Sequence, residues 1–231
     1  MKILAAECSA TAVSAAIAVD GKIVASDFSN QKITHSQTLL PMIADVLEKA
    51  KLKPHDIDLF AVSNGPGSFT GVRIGISAIK GLAAPNKAQC IGVSTLLSMA
   101  YNYIDTDCVV CSVMDARCNQ VYNALFLIEN GNITRLCNDR ALLCEELISE
   151  LNEKYHDKKI IIVGDGAKLF EDAANEHILI SCEERRYQNA KGVILAANNE
   201  ENFVSPEELL PTYLRLPQAE RELKLKTERG D

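Results

Sequence analysis

The chain has 231 residues, enough for one large domain or two small ones with a full hydrophobic core. Apolar residues at 47% and charged residues at 24% are ordinary for a soluble globular protein. A formal charge of −7 excludes unaided grip on a nucleic-acid backbone, because that binding needs Lys and Arg to neutralise phosphates.

The start Met1-Lys2-Ile3-Leu4 enters a strand directly, without the layout of a signal peptide, and no run approaches the roughly 18 apolar residues of a membrane span. A cytoplasmic protein with no membrane contact is therefore expected. Lys2 to Ala6, Thr11 to Val19 and Lys22 to Phe28 read as strands, with Asp20-Gly21 as a hairpin turn. His35-Ser36-Gln37 leads into Leu39, Ile43, Val46, Leu47 and Ala50 at helical spacing, ending near Lys53-Pro54. Pro41 falls within this run; it is comfortable only in a first turn, and elsewhere costs a hydrogen bond.

Leu59 to Ser63 is the next strand, and Asn64-Gly65-Pro66-Gly67 must turn. Ser68 suits an N-cap for the helix that follows. On that helix one stripe holds Phe69, Val72, Ile76, Ile79 and Ala83, a second holds Gly71, Gly75, Ala78 and Leu82, and Ile74 lies beyond. Only Arg73, Ser77 and Lys80 make a polar face. That apolar surface exceeds the ~100° stripe of a one-sided helix, so packing on two sides is expected, with the glycine edge admitting a close second backbone. The missing Lys-Ser/Thr after Gly71 argues against a Walker phosphate loop. A strand Gln89 to Val93 and a helix capped by Ser94 complete the first half.

A similar order starts again. Cys108 to Met114, Gln120 to Ile128 and Ile133 to Leu136 read as strands, with Asn130-Gly131 as a hairpin turn. Glu145 to Tyr155 is a helix and Lys159 to Val163 a strand, and Gly164-Asp165-Gly166-Ala167 turns into a short helix. Ile178 to Ser181 and Lys191 to Asn198 follow as strand and helix. Three meander strands followed by α/β units, twice over, is the order of a duplicated actin-like α/β fold of the ribonuclease H-like, ASKHA kind, with two βββαβα-type domains at 1–103 and 104–231. The tail from Pro211 sets Arg215, Arg221, Lys224, Lys226 and Arg229 against Glu220, Glu222, Glu228 and Asp231, and is expected to be exposed, partly disordered and without a defined role.

Chemistry is sparse. Glu7-Cys8-Ser9 and Asp115-Ala116-Arg117 match the phosphate turns of actin-like ATPases, and Glu7 with Asp115 could hold a cation between phosphates. Neither turn has a glycine to bring amides to a phosphate, so Glu7, Ser9, Asp115 and Arg117 read as a vestigial nucleotide site at most. Cys108-Val-Val-Cys111 lacks a second Cys or His pair, and the eight cysteines read as reduced small hydrophobes, with no metal and no cofactor expected. His35, His55, His156 and His177 form no protease motif, and no G-x-S-x-G elbow occurs.

Several segments together resemble the TsaB (YeaZ) family, the smaller actin-like paralogue in bacterial tRNA threonylcarbamoyladenosine biosynthesis. They are His35-Ser36-Gln37 with Leu39-Leu40-Pro41, Ser63 to Gly75 with Lys80 to Ala83, Val93 to Leu96, Asp115-Ala116-Arg117 with Val121-Tyr122, Gly164 to Ala167, and Pro211 to Arg215. The catalytic paralogue TsaD carries His-x-x-x-His, where this chain has His35 and Leu39. The family usually reads Asp-Thr-Ser where this chain has Glu7-Cys8-Ser9. The resemblance implies a non-catalytic scaffold: TsaD transfers the threonylcarbamoyl group to the adenosine after the anticodon, this chain pairs with TsaD, and TsaE docks on the pair. Contact with tRNA comes only through the complex. The pairing face would use Ser36, Leu39, Leu40, Ile43, Leu47, Phe69, Val72, Arg73, Gly75, Ile76, Ile79 and Lys80, and would hold a homodimer when TsaD is missing. A stand-alone ATP-dependent actin-like enzyme and a glycoprotease are the rival readings.

Overall fold

Asp20-Gly21 and Asn130-Gly131 adopt positive φ at both positions, the geometry of tight hairpins, and each joins the second and third strands of a three-stranded meander. The computed structural model describes residues 1–31 and 34–215. The first meander is β1 (Lys2–Glu7), β2 (Val13–Val19) and β3 (Lys22–Ser29). Helix α1 (His35–Ala50) then leads to β4 (Leu59–Gly65), α2 (Phe69–Ala83) and β5 (Gln89–Ser94), giving a sheet ordered β3-β2-β1-β4-β5. The short α3 (Thr95–Ala100) follows.

The second half repeats the plan. Strands β6 (Cys108–Asp115), β7 (Gln120–Glu129) and β8 (Asn132–Arg135) form its meander. After β9 (Arg140–Leu143) and α4 (Cys144–Lys154), β10 (Ile160–Val163) and β11 (Ile178–Ile180) add on in parallel. The order β8-β7-β6-β10-β11 corresponds strand for strand to that of the first sheet, so the duplicated α/β architecture is present. The unpredicted β9 pairs with β7, and the turn at Gly164 runs into a 3-10 helix, Asp165–Ala173. Two short helices, α5 (Glu183–Arg186) and α6 (Ala190–Ala197), end the regular structure.

The layers follow from which strand face is apolar. In β1, Leu4 and Ala6 face α1 and α2, while Ile3 and Ala5 face α6. In β6, Val110 and Met114 face α3, and Val109, Cys111 and Val113 face α4. Both faces of each sheet are covered, which is why these strands read as near-continuous apolar runs. Cys108 and Cys111 fall on opposite faces of the second sheet, and all eight cysteines are free thiols.

The two halves exchange helices between the sheets: α3, from the first, packs on the second sheet, and α6, from beyond residue 104, packs on the first. They meet at Gly192, where any Cβ would collide with the Ser98 carbonyl oxygen. Pro41 sits inside α1 beyond its first turn, on the solvent side, so the helix forgoes one backbone hydrogen bond there.

Candidate docking face and interdomain cleft

Helix α2 is held at its start by Ser68, whose Oγ accepts the Gly71 amide at 3.2 Å. Its core stripe of Val72, Ile76, Ile79 and Ala83 is buried against the first sheet. The glycine edge does have a close neighbour, but it belongs to this chain: a Cβ at Gly71 would strike the Cys8 carbonyl oxygen, and one at Gly75 would lie 3.0 Å from Cys8 Sγ. Cys8 donates its thiol proton to the Gly71 carbonyl at 3.1 Å, and burial pushes its pKa far up.

The residues expected on the pairing face divide by burial. Leu39, Ile43, Leu47, Val72, Gly75, Ile76 and Ile79 are buried in the chain's own core. Ser36, Leu40, Phe69, Arg73 and Lys80 keep exposed surface. Between α1 and α2 lies a groove of about 540 Å³, lined by His35, Ser36, Leu39, Leu40, Phe69, Thr70, Arg73, Ile74, Ser77 and Ala78. Leu40, 51% exposed, stands at its rim, with the half-buried Ile74 and Ala78 in its wall. Ile74 and Ala78 were not among the expected contacts. Their position on the side of α2 away from Val72 and Ile79 marks them out in the sequence.

The second concavity is a cleft of about 710 Å³ between the two halves, lined by Ser9, Ala10, Thr11, Gly67, Ser68, Asp115, Arg117 and Asp165 among others. It brings Ser9, Asp115 and Arg117 together. Glu7 is not with them; it is fully buried behind Ser9, whose amide and hydroxyl both donate to Glu7 Oε1, at 2.5 and 2.6 Å. Burial raises the Glu7 pKa, opposed by the Ser63 and Ser9 hydroxyls and the charge of His35. Donors that would cradle a phosphate are already engaged: the Ser9 amide by Glu7, the Ser68 amide by the Ser9 carbonyl at 2.6 Å, and the Arg117 amide by Asp115 Oδ1 at 2.7 Å. Asp165 is pushed up to about 6, chiefly by burial, with Gln188 donating to it and the Asp115 charge adding to the rise. Among the described residues no group of three or more His, Cys, Asp or Glu is placed to hold a metal.

Two features escaped the sequence reading. His35 donates Nε2–H to the Ala10 carbonyl at 2.5 Å, fastening the start of α1 to the β1–β2 turn. Residues 211–215, expected to be a loose tail, are packed instead. The Thr212 amide donates to the Asn64 carbonyl at 2.7 Å, and Tyr213 stacks on Phe69 with ring centroids 4.4 Å apart. Arg215 donates to the Ala116 carbonyl at 3.1 Å and to Gln120 Oε1, across the cleft. An aromatic and an arginine within five residues, Pro211 to Arg215, were the signal available. Arg221, Lys224, Lys226 and Arg229 of the expected tail lie outside the described residues.

Two like-built halves around a cleft define an actin-like protein. A family model described as "TsaD: tRNA N6-adenosine threonylcarbamoyltransferase" matches residues 22–223. The chain is 34% identical over 182 residues to the tRNA threonylcarbamoyladenosine biosynthesis protein TsaB of Escherichia coli K12, covering 78% of each. It is 29% identical over 224 residues to TsaB of Bacillus subtilis 168, covering 95% of this chain and 96% of that one. The structure of YeaZ from Pseudomonas aeruginosa matches with a TM-score of 0.80 at 26% identity, over 92% of this chain and 99% of that one. The chain belongs to the TsaD family and, within it, to the TsaB proteins of tRNA threonylcarbamoyladenosine biosynthesis. No helix among the described residues is long and apolar enough to cross a membrane.

Proposed function

We propose that this chain serves tRNA threonylcarbamoyladenosine synthesis as a non-catalytic docking subunit, pairing with TsaD through the exposed ridges of α1 and α2. The observation that carries the reading is the groove of Leu40, Ile74 and Ala78 on helices whose other faces are already buried in the core. An aliphatic groove flanked by Arg73 and Ser77 suits a partner helix pair laid across it, and a stable interface of this kind buries about 1,600 Å² in total. TsaE would join the pair, and a second copy would take the groove when TsaD is missing. Acidic in net charge, the chain would reach tRNA only through the complex.

The rival is an actin-like ATPase acting alone. Against it stand the amides of Ser9, Ser68 and Arg117, engaged within the chain, and the retreat of Glu7 from the cleft. The deciding experiment is tRNA modification by purified TsaD, the adenylate-forming enzyme and TsaE, with and without this chain. Dependence on the chain is expected; an equal rate in its absence overturns the proposal.

A further inference from the structure

The segment after α6 joins the two concavities. It begins with Val204 paired to Cys90 and continues with Leu209 buried against the first core. Tyr213 then lies over Phe69, and Arg73 donates Nε–H to the Tyr213 hydroxyl at 2.8 Å while its guanidinium sits 3.8 Å from the Phe69 ring centre. Phe69 and Arg73 both line the α1/α2 groove, and Phe69 lines the cleft as well. Two residues further on, Arg215 crosses to the β6–β7 turn, where it holds Ala116 and Gln120. Two residues of chain span at most about 7 Å, so a shift of the backbone at Tyr213 is passed directly to Arg215 and its grip on that turn.

We propose that residues 204–215 are a docking-sensitive strap: a partner helix seated in the α1/α2 groove fixes Tyr213 on Phe69 and Arg73, and thereby sets Arg215 to hold the two halves together across the cleft. This rests on the docking reading given above. The direction follows from solvation. Arg73 is exposed in the free chain, and covering it with an apolar partner strips water from its bond to Tyr213 and from its contact with the Phe69 face, which strengthens both. The brace across the cleft is then strengthened from a protein surface that lies outside it.

Hydrogen exchange of the amides of Ala116, Arg117 and Gln120 reads the strap directly, because all three are bonded within the turn that Arg215 holds. In the free chain, Arg215→Ala should speed their exchange about tenfold relative to wild type. Adding TsaD should slow it in wild type and leave it unchanged in Arg215→Ala. Gln120→Ala, which removes one of the two acceptors, is the second variant should Arg215→Ala fold poorly, and should show an intermediate effect. Equal protection by TsaD in wild type and Arg215→Ala, or none in wild type despite binding, overturns the coupling. Leu40→Asp separates the two readings: binding of TsaD as tight as wild type, or no binding by wild type itself, overturns the docking reading and the coupling with it. The free-chain comparison still decides whether the strap holds the turn.

Discussion

Gly75 lies against Cys8: a Cβ at position 75 would stand 3.0 Å from the Cys8 sulfur and 3.1 Å from Val62 Cγ2. The glycines of α2 therefore let the helix settle on the end of β1, within one chain. Gly75→Leu is expected to overpack this contact and cost about 3 kcal/mol, lowering Tm by roughly 6–12 °C. Thermal melting followed by circular dichroism checks it. A variant that melts with wild type would show that the space is free and that the glycine serves another surface.

Leu40 gives the opposite expectation. Half exposed on α1 with its neighbour Leu39 buried, it contributes little to the fold, so Leu40→Asp should change stability by no more than about 0.5 kcal/mol. Placed at the rim of the groove, the same change should weaken TsaD association tenfold or more, as a charge set into an apolar contact does. Co-purification and calorimetric titration read the second effect, melting the first. Loss of folding together with loss of binding would return Leu40 to the core.

Titration of ATP and magnesium into the purified chain, followed by calorimetry, should give no saturable heat at millimolar nucleotide. The reason lies in donors rather than shape. A cleft of about 710 Å³ has room for a nucleotide, yet the Ser9 and Ser68 amides at its phosphate end already bond to Glu7 and Ser9. Micromolar binding with turnover would make the engaged amides a resting state and restore the enzyme reading.

The duplicated strand order was legible because each meander is marked by its own Asp-Gly or Asn-Gly turn and each parallel strand by a short apolar run. The caps at Ser68 and Ser94 were legible for the same reason, being local: each hydroxyl accepts an amide three residues on. The proposed docking face was half legible. Periodicity shows that Val72, Ile76 and Ile79 are apolar, but an interface and a core are written in the same residue types, and only the placement of α2 on the sheet separates them from Ile74 and Ala78. The strap was not legible. Arg215 reaches Ala116 across 99 positions and Arg73 reaches Tyr213 across 140, and no local pattern encodes a partner at that distance. The helix exchange that sets α6 on the first sheet is hidden likewise, since a short apolar helix reads the same on either sheet.

Asp165 offers a test of cleft electrostatics by pH. Its carboxyl is partly buried in the wall of the cleft, and its folded pKa of about 6 stands above the ordinary aspartate value of 3.8. Folding therefore favours the protonated acid. Below about pH 4 the group is neutral in both states and imposes no penalty; as pH rises through 6 the folded chain must carry a buried carboxylate, and stability falls until the window is passed. Asp165→Asn keeps an oxygen to accept from Gln188 and has no charge to bury. Its stability relative to wild type should grow between pH 4 and 6 and level off above, at up to about 3 kcal/mol from a shift of this size. Urea unfolding of both proteins at pH 4, 5, 6 and 7.5 measures the difference. A gap that is constant across that range would assign the effect to packing at Gln188, and a wild type that gains on the variant as pH rises would mean that the Asp165 carboxylate is favoured in the fold by a cation brought into the cleft.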